Sequence, residues 1–132
     1  MPSVVIDTEL FTHESTNEIT AYYSDARLKD VQGPITNALG KVDQLTGYHY
    51  KANETAVKLG YTDDKRQVGL MAQDVQEVLP EAVTLAPIDI NLDGSSKSGE
   101  NYLTIKYEKL IPVLVNAIKE LKQEVDDLKA LI

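Results

Sequence analysis

Along the last quarter of the chain, apolar residues recur at alternating steps of three and four: Ile111, Leu114, Ile118, Leu121, Val125, Leu128 and Ile132. This spacing draws one stripe down an α-helix, with β-branched residues at each a position and leucine at each d, over about three heptads. The pattern predicts a long C-terminal helix whose stripe lies against copies of itself. Core composition of this kind leans by itself towards two strands.

Upstream the periods are shorter. Ile35, Ala38, Leu39, Val42 and Leu45 keep helical spacing, with Pro34 suited to a first turn and Gly47 just past the end, so a short amphipathic helix is expected. Tyr48 and Tyr50 alternate as in a strand, and Asn53 to Arg66 is polar enough for a loop or hairpin arm. Val68 to Ala72 suits a buried strand, and Val75, Val78 and Leu79 suggest one or two helical turns stopped by Pro80. Glu81 to Leu85 and Tyr102 to Ile105 read as strands of one hairpin, whose Gly- and Ser-containing connection predicts a mobile tip. Residues 3 to 23 mix β-branched, aromatic and polar residues without helical period and are expected to be extended, broken at Thr12 to Glu18.

Composition narrows the function. A chain of 132 residues, 42% apolar, accommodates one compact domain with extensions. A formal charge of −8 offers no basic face for phosphate, so neither nucleic acid nor an anionic membrane is an expected partner. Absence of cysteine excludes disulfides, thiolate metal sites and cysteine nucleophiles. No run approaches the roughly 18 apolar residues of a membrane span, and a soluble chain is expected.

One short segment holds a hydroxyl and an amine that could work together. In Ser24-Asp25-Ala26-Arg27-Leu28-Lys29, Ser24 could be a nucleophile and Lys29 its base, with Arg27 as a nearby positive charge favouring the neutral amine. Five residues turn about 140° around an ideal helix and reach opposite faces of a strand, so the pair needs a turn or an intersubunit contact. The competing reading makes Ser24 the cap of a helix starting at Asp25, with Lys29 a solvated charge. His13 and His49 have no carboxylates at ligand spacing, and Asp89, Asn91, Asp93 and Gly94 are out of register for a calcium loop. No metal and no cofactor are expected.

Four blocks in order then carry a resemblance: SDARLK (24 to 29), LTGYHY (45 to 50), VGLMAQDVQEVLPEAV (68 to 83) and YLTIKYEKLIPVLVNAIKEL (102 to 121). Together they resemble the peptidase S74 family, the intramolecular chaperone domains of endosialidases, phage tail fibres, tailspikes and neck appendages, with relatives among myelin regulatory factors. The resemblance spans residues 24 to 132. It implies an α+β fold: a small head with arm-like extensions, and a long C-terminal helix in a three-stranded bundle. It implies Ser24 and Lys29 as a catalytic dyad, Asp25 and Arg27 as the rest of the cleavage motif, and Gln73 as a residue near the site. It also implies a homotrimer that templates an upstream β-rich fibre of the same polypeptide and is then released by one autoproteolytic cut.

On this basis residues 1–24 are expected to be the fibre end and cleavage junction, 25–106 the chaperone head, and 107–132 the oligomerisation helix, acting in the host cytoplasm during virion assembly. The scissile bond stays open. Attack by Ser24 on the Tyr23 carbonyl closes a five-membered ring, attack on its own carbonyl a strained four-membered one, yet the family points to the bond after the serine. The alternative function is a non-catalytic trimerisation module. A membrane-bound transcription factor's cleavage domain is the third.

Overall fold

A computed structural model describes residues 10–13, 18–21 and 23–132. The expected extended structure at residues 3–9 lies outside the described residues, as do residues 14–17 of the break expected at Thr12 to Glu18, whose ends Thr12, His13 and Glu18 are instead in paired strands. Two compact units divide the chain, Met1–Pro34 and Ile35–Ile132.

In the first unit, β1 (Leu10–His13) and β2 (Glu18–Ala21) pair antiparallel, Leu10 opposite Ala21 and His13 opposite Glu18. One 3-10 turn, Ala26–Leu28, follows. Residues 23–34 are all exposed, and the turn buries none of its residues.

The second unit is an α+β arrangement of short elements against one long helix. Its helices are α1 (Ala38–Asp43), α2 (Glu54–Leu59), α3 (Ala72–Val78) and α4 (Ile111–Ala130), and its strands β3 (Tyr48–Tyr50), β4 (Gln67–Gly69), β5 (Val83–Leu85) and β6 (Leu103–Ile105). Two two-stranded antiparallel sheets, β3 with β4 and β5 with β6, complete it. The expected hairpin at β5 and β6 is present, lengthened by Ala86 N donating to the Tyr102 carbonyl (2.8 Å) and Lys106 N to that of Ala82 (2.7 Å).

The core has two clusters. Ala38, Val113 and Ala117 meet where α1 lies on α4, with Ile35, Leu39 and Val42 around them; Val75, Ala82 and Leu110 meet between α3, the start of β5 and the start of α4. Leu79 touches both. Small residues at positions 38 and 117 let the α1 and α4 backbones approach closely. Asn116 Nδ2 donates to the Ile35 carbonyl (3.0 Å), and the Glu120 carboxylate accepts from Ala38 N (2.8 Å) and Leu39 N (3.0 Å).

Three expectations are corrected. The first helix does not begin near Pro34: Asn37 is left-handed (φ 51°) and α1 starts at Ala38, its first amides satisfied by Glu120 from another helix. Asn53 to Arg66 is not wholly a loop but contains α2, capped by the Asn53 side chain accepting from Ala56 N (3.0 Å) and closed by left-handed Gly60. Val68 to Ala72 is not a buried strand. Only three residues pair, Val68 is 72% exposed because β3 and β4 form a bare ribbon, and Ala72 already belongs to α3.

The hairpin connection is also more organised than its composition suggests. The Asp89 side chain is 1% exposed and accepts from Ser96 Oγ (2.7 Å), Ser98 N (2.8 Å), Ser98 Oγ (3.1 Å) and Tyr102 N (3.2 Å). Lys97 N closes the loop on the Asp89 carbonyl at 2.7 Å. These bonds hold the Asp89 carboxyl below its ordinary range, Ser96 foremost, against the opposing effect of burial.

Candidate functional site: a serine and lysine across a 3-10 turn

The turn at Ala26–Leu28 resolves the spacing problem of the SDARLK segment. Leu28 N donates to the Asp25 carbonyl (3.0 Å) and Lys29 N to that of Ala26 (3.2 Å), after which the chain leaves extended at Lys29 (φ −115°, ψ 130°). A 3-10 turn rises only about 2 Å per residue, so the residues flanking it lie closer together than in an extended strand. Lys29 Nζ lies 2.9 Å from Ser24 Oγ and donates to it. A single chain thus brings the hydroxyl and the amine together, with no intersubunit contact needed.

Ser24 is not the cap. Asp25 is: its Oδ1 accepts from Arg27 N (2.9 Å) and from Arg27 Nε (3.1 Å), while Oδ2 accepts from Arg27 Nη2 (2.8 Å). The bidentate fork and the backbone bond stabilise the ionised carboxylate and lower its pKa, the side-chain bonds contributing most; the same fork raises that of Arg27. The Arg27 charge is therefore directed at Asp25, which answers it, and Arg27 is not an isolated positive charge acting on Lys29. Tyr23, Leu28 and Val31 stand exposed around the turn.

Gln73 is exposed and lies in the first turn of α3, in the second unit. The stripe of Ile111, Leu114, Ile118, Leu121, Val125 and Leu128 is exposed along α4, as is Ile132 just past its end, while Val113 and Ala117, offset from it, are buried against α1. Two faces of one helix are thereby separated. The face used within the chain carries Val113, Asn116, Ala117 and Glu120; the face left bare is the heptad stripe. Sequence reasoning missed Glu120 and Asp89. Neither had a local signal, because their donors lie 82, 81 and 7 to 13 residues away.

Among the described residues, no group of three or more His, Asp or Glu is placed to hold a metal ion, and no helix is long and apolar enough to cross a membrane.

Residues 24–84 match the family model Peptidase S74, described as chaperone of endosialidase. The chain is 33% identical over 123 residues to the long tail fiber protein Gp37 of Enterobacteria phage K3, covering 92% of this chain and 9% of that protein. It is 35% identical over 107 residues to the same-named protein of Enterobacteria phage M1, covering 80% of this chain and 38% of that one. Myelin gene regulatory factor-like A of Dictyostelium discoideum is 32% identical over 112 residues, 80% of this chain and 12% of that protein. The chain thus spans well under half the length of these relatives.

Proposed function

The chain belongs to the peptidase S74 family, and from that premise we propose that it is an intramolecular chaperone of a phage tail fibre, released by its own cleavage beside Ser24. One observation carries the catalytic part: Ser24 Oγ and Lys29 Nζ are 2.9 Å apart within one chain, at the positions where the family resemblance puts the dyad. With Lys29 neutral, Nζ takes the Ser24 hydroxyl proton as Oγ bonds to the scissile carbonyl carbon. The proton then passes to the leaving amine as the peptide bond breaks, and water hydrolyses the resulting ester.

The chaperone part rests on the bare stripe of α4. Three chains joined along Ile111 to Leu128 would hold upstream segments at high effective concentration and in common register. Slow, non-local β-fibre folding needs that help, and a cut made afterwards leaves the fibre kinetically trapped in its folded form. The stripe also favours a second reading, a trimerisation module that does not cut.

Intact-mass measurement of the full-length parent separates the two. Fragments breaking beside Ser24 are expected from wild type, none from Ser24→Ala, and about 10²-fold to 10⁴-fold slower release from Lys29→Ala. An uncut but trimeric wild type supports the module alone. Ile118→Asp is expected to dissociate the trimer by placing a carboxylate in each copy of the seam, read by light scattering; an unchanged mass removes α4 from the interface.

A further inference from the structure

Among the described residues, the 3-10 turn that joins Ser24 to Lys29 is supported from a side chain by one carboxylate. It spans three residues, buries none, and among the described residues makes two backbone bonds, Leu28 to Asp25 and Lys29 to Ala26. Such a turn is marginal alone, since 3-10 geometry is poorer than α-helical and an exposed segment gains nothing from packing. Asp25 supplies what is missing. Its carboxylate caps the turn by accepting from Arg27 N and clamps the Arg27 side chain at two further points, so residues 25 to 27 are held at 2.8 to 3.1 Å by three bonds.

We propose that Asp25 is the positioning residue of the dyad, with Arg27 as its clamp: together they hold the turn that brings Lys29 Nζ within reach of Ser24 Oγ, and neither takes part in proton transfer. The inference rests on the proposed cleavage reaction. Its physical basis is the steep dependence of intramolecular reaction on geometry, where a displacement of about 1 Å costs on the order of 10²-fold in rate. The arrangement also predicts a separation of effects. An exposed pair with partners two residues apart contributes little to global stability, so its loss should reduce cleavage and leave the fold alone.

The test measures cleavage rate against pH in the full-length parent for wild type, Asp25→Ala, Asp25→Asn, Arg27→Ala and Arg27→Lys, with Ser24→Ala alongside. Asp25→Ala is expected to cut about 10-fold to 10²-fold more slowly at every pH, with the limb over which the rate rises with pH unmoved. Asp25→Asn, which keeps an oxygen to cap Arg27 N, is expected within about 10-fold of wild type. Arg27→Lys, which cannot reproduce the fork, should fall between wild type and Arg27→Ala. Melting temperatures should agree throughout.

Cleavage of Asp25→Ala at the wild-type rate overturns the proposal. A rising limb displaced towards lower pH also overturns it, because the carboxylate would then act on the lysine by charge and not by position. A large fall in melting temperature overturns it as well, making Asp25 a stabiliser of the fold. Cleavage of Ser24→Ala instead defeats the underlying reaction, whatever the Asp25 variants do.

Discussion

Asp25 and Asp89 each organise a segment of chain that has no regular structure of its own, and they do it at opposite scales. Asp25 is exposed and, among the described residues, takes three side-chain bonds from one residue two positions away. Asp89 is buried and takes four bonds from three residues spread over positions 96 to 102. The first carboxylate sets the reach of a single side chain across a turn. The second closes a whole connection, and removing it would strand two backbone amides with no partner. A local clamp can fail without consequence for the fold, whereas a hub that gathers donors from three residues leaves several of them without a partner at once.

The largest effect expected from breaking this contrast is that of Asp89→Ala. Amide exchange at Ser98 and Tyr102 should accelerate at least about 10-fold, and the melting temperature should fall by about 5 °C or more. Unchanged protection at both amides would mean that the backbone bridge between Ile90 and Ser96 orders the loop without its carboxylate.

Acid should give a smaller effect. The Asp89 carboxyl is held below its ordinary value of 3.8, so its stabilising contribution is complete above that value and is lost as pH falls through the lower, folded one. Asp25, Asp93 and Glu120 are shifted in the same direction. Wild type should therefore melt at a constant temperature between about pH 7 and 5 as far as these groups are concerned, and lose stability below about pH 4. The loss should be shallower in Asp89→Asn, and equal slopes in the two proteins would remove Asp89 from the acid response. Smallest of all is the expected change in melting on Asp25→Ala, within about 2 °C; a drop rivalling that of Asp89→Ala would erase the contrast.

Much of the second unit was legible residue by residue. The stripe from Ile111 to Leu128, the turns at Val75 and Val78 ended by Pro80, and the pairing of residues 83–85 with 103–105 follow from period and punctuation. The helix Glu54–Leu59 escaped because it carries little apolar surface, although Asn53 and Gly60 marked its ends. Val68 was misjudged because an apolar run indicates what could be buried and not whether a second layer exists to cover it. For the candidate site, the residue types and their five-residue separation were plain, but the turn between them was not. Asp25 cap and helix-capping Ser24 are equally compatible with the letters, and the bonds from Arg27 decide between them.

The sequence by itself determined the elements whose signal is periodic and local: the long C-terminal helix and its apolar seam, the short helix before Pro80, and the hydroxyl and amine placed five residues apart. Tertiary structure alone decided that Glu120 caps α1 across 82 residues, that Asp89 gathers the loop around it, and that α4 turns Val113 and Ala117 inward while its seam stays bare. The reason is that a periodic apolar pattern reports on neighbours along the chain. A hydrogen bond between distant residues exists only after the apolar faces have packed and brought donor and acceptor within 3 Å.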